Sequence, residues 1–153
     1  MGPIQSHRLF VEEGKWVGKG MYNSSLDEHC ELVMRFSCNN DNGNRTVNVQ
    51  KVFFQGDNII EDTNNIHWVL EQNSLSGKEI KWHADLCAEH IDGVFSFTTN
   101  AITSTWKSQN LEGEGCETFS KIDDQNYDLT GTLKESGNTY SWELVLSEQS
   151  TFL

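Results

Sequence analysis

The chain has a single proline, Pro3, and its scarcity removes the commonest punctuation from everything that follows. Turns must be written in Gly, Asn and Asp instead. Positive charge is also short: 11 Lys and Arg stand against 23 Asp and Glu, giving a net charge of −12 and a pI near 4.7. Such a surface repels phosphate backbones and anionic lipid heads, so neither nucleic acid nor membrane is expected as a partner. It suits solubility, or a cationic ligand or basic protein. No apolar run approaches the 18 residues of a membrane-spanning helix, and MGPIQSHRLF is too polar for a secretory leader. Cys30, Cys38, Cys87 and Cys116 contain no C-x-x-C pair, which excludes a zinc ribbon or thioredoxin motif. The thiols are read as reduced and the protein as cytoplasmic, a reading that a mature secreted form would also satisfy. GKWVGKG has neither Walker nor Rossmann spacing, and no G-x-S-x-G elbow occurs. No cofactor and no metal is expected.

What is present points to strands. A chain of 153 residues forms one domain, 1–153, able to bury roughly 70% of its unfolded surface. Residues 1–12 are expected to be flexible or loosely packed. Turn signals fall at 39–44 (NNDNGN), 55–58 (QGDN), 90–93 (HIDG), 123–126 (DDQN) and 135–138 (ESGN). Between them lie runs rich in Val, Ile, Thr, Phe, Tyr and Trp. In TYSWELVL, Tyr140, Trp142, Leu144 and Leu146 share one face. YDLTGTLK precedes it across ESGN, which makes a hairpin. Cys30, Leu32, Met34, Phe36 and Cys38 alternate in the same way, whereas the alternation in RTVNVQKVFF slips between Val49 and Phe53, as a bulge would make it do. The series predicts an all-β fold: a single up-and-down antiparallel barrel of about 8–10 strands, closed so that no edge is exposed.

Residues 76–93 are ambiguous. Ser76 to Glu79 resembles a capping box, with Ile80, Ala84, Cys87 and Ile91 at helical spacing; a strand fits equally well locally and is favoured by its strand neighbours. As a strand, KWHADLCAEH places His83, Asp85, Cys87 and Glu89 on one face. Those residues could ligate a metal or supply a His–carboxylate base, with His67, His29, His90 or Cys116 completing a metal set. The favoured reading is a solvated outer face, with Trp82 and Leu86 inside. The five tryptophans carry more weight. Trp16, Trp68, Trp82, Trp106 and Trp142 are spread over five strands, and an indole N–H needs a partner when buried. A cavity with polar anchors fits them better than a dry core.

Gly14-Lys15-Trp16 resembles the Gly-x-Trp signature of the lipocalins and their calycin relatives. The resemblance implies a barrel whose floor is closed by Trp16 and whose other end admits a hydrophobic ligand. The arginines here are Arg8, Arg35 and Arg45, so the late Arg that stacks on the lipocalin Trp has no counterpart. Nor is there the C-terminal Arg-x-Tyr with which fatty-acid-binding proteins hold a carboxylate, and a fatty acid is not expected. The expected function is binding of a small apolar or aromatic ligand, lined by Trp68, Trp82, Trp106, Tyr140 and Trp142 with Trp16 at the floor, and with His83 or His67 available for a polar or haem-iron contact. Alternatives are an enzyme using His83 with Asp85 or Glu89 facing inward at the barrel mouth, and an acidic interaction module without a ligand.

Overall fold

The computed structural model describes residues 2–41, 44–71, 78–86, 89–108 and 113–149. Ten strands follow a short 3-10 turn at Ile4–Ser6: β1 Gly14–Ser24, β2 His29–Asp41, β3 Asn44–Gln55, β4 Asn58–Leu70, β5 Glu79–Leu86, β6 Glu89–Phe97, β7 Ala101–Ser108, β8 Gly113–Asp123, β9 Asn126–Glu135 and β10 Asn138–Glu148. Each pairs antiparallel with its neighbours in sequence, and β10 pairs back onto β1, closing the sheet into a barrel. The up-and-down barrel expected from the turn spacing is therefore the fold. The ESGN hairpin is in register from Asn138 opposite Glu135 to Ser147 opposite Asn126.

Segment 76–93 forms strands where it is described, and His90-Ile91-Asp92-Gly93, read as a turn, lies within β6. Gly93 is there for another reason. It sits directly across from Trp82, and a Cβ at Gly93 would overlap the indole. The glycine is space for a ring, not a change of chain direction. The slip in RTVNVQKVFF falls where the pairing with β4 does shift register, between Val49 and Lys51, although β3 keeps its own alternation. Pairing of β3 with β2 runs unbroken from Asn44 to Phe54, and the register shift after Val49 lies on the β4 side. Val47, Val49, Lys51 and Phe53 all face inward, so the pattern breaks because one inward residue is a lysine.

Inward positions change character along the barrel. At the end marked by the start of β1 and the 98–100 and 124–125 connections, they are sealed. Trp16, Phe36, Phe95, Phe119, Tyr127 and Leu129 are at most 1% exposed. The seal is the N-terminal segment. Leu9 and Phe10 are 0% and 2% exposed, with Phe10 stacked on Phe95 at 4.7 Å and edge-on to Phe119 at 5.0 Å. Arg8 ties the segment to Glu148 of β10 at 2.9 Å, and Lys121 of β8 donates to the Ser6 carbonyl at 2.7 Å. The expected loosely packed N-terminus is instead a plug, because Ile4, Leu9 and Phe10 supply the apolar surface that closes the barrel.

His7 is buried in the plug between two partners, the Thr98 carbonyl at 2.6 Å from Nε2 and the Tyr127 hydroxyl at 2.7 Å from Nδ1. A carbonyl only accepts, so Nε2 carries the proton and the Tyr127 O–H donates to Nδ1. Burial holds the His7 pKa below its ordinary value, aided by Lys121 and opposed by the Thr98 bond.

Two outcomes follow for the plug. Phe10→Ala removes a ring packed on all sides and is expected to lower unfolding free energy by about 3–5 kcal/mol in urea titration; a loss of a few tenths would mean that the segment is not part of the core. The unfolded chain takes up a proton at residue 7 more readily than the folded one. Stability tied to His7 is therefore complete above its unfolded pKa, near 6.5, and falls as pH drops through the lowered folded value. Urea midpoints between pH 7.5 and 5 should fall more steeply for wild type than for His7→Gln; parallel profiles would refute the burial of a neutral His7.

Candidate functional site

At the other end, bordered by the 25–28, 56–57 and 136–137 connections, inward side chains remain partly exposed. Tyr22, Phe53, Ile91, Trp106, Leu133 and Tyr140 pack against the core without being covered by it. The wall they stand on is shaped by glycine. Trp82, Trp106 and Trp142 each lie directly opposite a glycine on the adjacent strand: Gly93, Gly115 and Gly131. A Cβ at any of the three would overlap the six-membered ring and Nε1 of its tryptophan. With hydrogen in place of a side chain, the indole folds flat against the neighbouring backbone rather than projecting across the lumen.

Lying flat, two of these indoles reach the second strand over. Trp82 on β5 crosses β6 and donates from Nε1 to Ser104 Oγ on β7 at 3.2 Å. Trp142 on β10 crosses β9 and donates to Glu117 Oε2 on β8 at 3.0 Å. Glu117 is 1% exposed, a carboxyl group inside the barrel. Burial pushes its pKa up, while Lys51 and the Trp142 bond draw it back down. The Lys51 ammonium nitrogen stands 5.1 Å from the centroid of the Trp142 ring, a cation–π contact. Around this centre, Tyr22 meets Phe53 edge-on at 5.0 Å and faces Tyr140 at 6.3 Å.

The residues singled out from sequence divide between the two ends. Trp106, Tyr140 and Trp142 lie toward this second end, Trp106 and Tyr140 partly exposed and Trp142 buried. Trp68 stacks on Trp82 at 5.0 Å and both are buried, with Trp68 in contact with the Phe10 plug. Trp16 is buried at the plugged end, edge-on to Tyr127 at 5.5 Å. Glu117 and Lys51 escaped notice, although parity alone marks them: Glu117 shares a face with Gly115 and Phe119, and Lys51 with Val49 and Phe53.

The outer face takes the polar half of KWHADLCAEH. Trp82 and Ala84 are buried, whereas Lys81 and Asp85 are exposed and His83 is half-exposed. Side chains at 87 and 89 lie outside the described residues. His83 lines a shallow trough of about 880 Å³ over β5–β9, across from Asp92, so the inward orientation needed for a catalytic base at the mouth is absent. His90 bridges Asp85 at 2.8 Å and Asp92 at 2.9 Å, and those two carboxylates, Asp85 foremost, raise its pKa. His67 bonds Asn48 at 2.6 Å, on the outside of β4. Among the described residues no three His, Cys, Asp or Glu side chains converge as a metal set. Cys38 and Cys116 are free thiols, and burial pushes Cys38 up to about 12.

No protein-family model matches the chain, and no curated protein matches it. Three chains of solved structures do. One is the S-type phycobiliprotein lyase CPES from Guillardia theta, with a TM-score of 0.70 over 97% of this chain and 91% of that one, at 7% sequence identity. At that identity the likeness is one of fold: a lipocalin-like barrel.

The wall geometry has a direct test. Gly131→Ala forces Trp142 off β9 and away from Glu117. It should cost about 1–3 kcal/mol of stability and alter the near-ultraviolet circular dichroism. A neutral or stabilising outcome would show that the indole does not rest on that glycine.

Proposed function

We propose that the barrel binds a small, flat, apolar or aromatic molecule in the chamber at its open end. The observation that carries this reading is the gradient of exposure among inward-facing side chains: sealed to 1% or less at the plugged end, partly exposed at Tyr22, Phe53, Trp106 and Tyr140. A barrel meant only to be filled gains nothing from glycines that hold bulky rings back against the wall. Flattened indoles give a planar guest a face to stack on, and the rings around them supply apolar area. The fold shared with a phycobiliprotein lyase is compatible with such a guest and makes a bilin a reasonable probe alongside simpler dyes.

The enzyme alternative loses its main support with His83 on the outer face. The floor assigned to Trp16 and the lining assigned to Trp68 and Trp82 become, in this reading, the core beneath the chamber, with Trp106, Tyr140 and Trp142 meeting the guest.

Titration with the neutral dye N-phenyl-1-naphthylamine, and separately with biliverdin dimethyl ester, a bilin without free carboxylates, should quench tryptophan emission with saturation at one equivalent. Trp142→Phe should weaken binding about three- to tenfold, the contribution of one stacking face, and Trp16→Phe should leave it unchanged. Absence of saturable quenching by either compound, or equal loss in both variants, would remove the reading.

A further inference from the structure

Resting on that reading of the open chamber, we propose that its guest is an organic cation: a protonated amine or quaternary ammonium whose apolar body lies among Tyr22, Phe53, Tyr140 and Trp142 and whose charge faces Glu117. Three observations converge on that chemistry. The first is the cluster of aromatic rings on the inward face, one of which, Trp142, already carries a cation over its negative face, an attraction strongest where water is thin. The second is Glu117. A carboxyl group that is 1% exposed is costly to keep, and its one direct hydrogen bond among the described residues, from the neutral Trp142 N–H, does not balance a full charge. An acid at such a place, where an apolar residue of similar size would pack at less cost, points to a use for negative charge.

The third observation is Lys51. It is an inward-facing lysine in a run of apolar residues, and its ammonium already sits over the Trp142 ring. That is the position a cationic guest would take. Lys51 therefore acts as a tethered stand-in: it offsets the Glu117 charge while the chamber is empty and swings toward the mouth when a better-fitting cation arrives. Its flexible four-carbon stem allows that movement at little cost. The net charge of −12 works in the same direction, raising the local concentration of cations over that of anions. Protonation of Glu117 would weaken the site, so the groups that bear on its charge matter. They are Lys51 from β3 and the Trp142 N–H from β10, both holding it toward the ionised form, while Ser104 and Gly131, opposite it on β7 and β9, carry no charge.

The test compares three probes of similar shape by isothermal calorimetry on the intact chain: benzyltrimethylammonium, neutral neopentylbenzene and anionic phenylmethanesulfonate. The cation should bind most tightly and the anion least. Lys51→Met, which removes the stand-in, should tighten cation binding about three- to tenfold. Glu117→Gln, which keeps an acceptor for Trp142, should weaken it about tenfold or more while leaving the neutral probe within about twofold. Equal binding of all three, or preference for the anion with weakening in Lys51→Met, would overturn the proposal. So would binding of N-phenyl-1-naphthylamine with no binding of the ammonium probe to wild type or Lys51→Met, an outcome that leaves the small-molecule chamber standing. If nothing binds, naphthylamine included, both fall.

Discussion

The pairing of a tryptophan on one strand with a glycine on the next is the constraint on which the interior is built. An indole is longer than the spacing of about 4.8 Å between strands, so a ring that lies flat must cover its neighbour, and it can do so only where that neighbour has no side chain. The pairing occurs three times, at Trp82 and Gly93, Trp106 and Gly115, and Trp142 and Gly131. A glycine inside a strand costs roughly 0.5–1 kcal/mol in backbone entropy and lost packing, and the covering ring restores the packing. The arrangement also sets direction: a flattened indole delivers its N–H to a side chain two strands away, and so fixes where Ser104 and Glu117 stand.

From this follows the polarity of the barrel along its axis. The N-terminal segment brings Leu9 and Phe10 into one end and completes an apolar core there, with His7 satisfied on both ring nitrogens. Toward the other end the rings are held to the wall, and Lys51 and Glu117 face inward beside Trp142. Keeping both charges away from the plug leaves the buried polar groups there neutral, with His7 paired to Tyr127 and Thr98.

Much of the architecture was legible in the chain because alternation and turn chemistry agreed. The run from Tyr140 to Leu146, the ESGN turn and the ladder from Cys30 to Cys38 each specify a strand without reference to anything distant. Three features were not legible, each for a physical reason. Gly93 looked like a turn because its true partner, Trp82, is a cross-strand neighbour and not a sequence neighbour. The N-terminal plug looked polar because only Ile4, Leu9, Phe10 and Val11 among its residues are strongly apolar, and their destination is set by the barrel opening. Lys51 and Glu117 sit at inward parity, and a pattern-based reading treats a polar residue there as a slip in register or moves it outside. The departures from local consistency are where the chemistry is, as expected when a site works against the packing around it.

The central claim is that inward side chains are sealed at the plugged end and partly exposed toward the other. Its most direct test is fluorine NMR of the protein labelled with 5-fluorotryptophan, with the five resonances assigned by single Trp→Phe variants, as a soluble gadolinium chelate is added. The account predicts that Trp106, the one partly exposed indole of the five, broadens first, while Trp16, Trp68, Trp82 and Trp142, all buried, stay sharp behind the plug and the paved wall. Early broadening of Trp16 or Trp68, with Trp106 protected, would place the opening at the other end and contradict it.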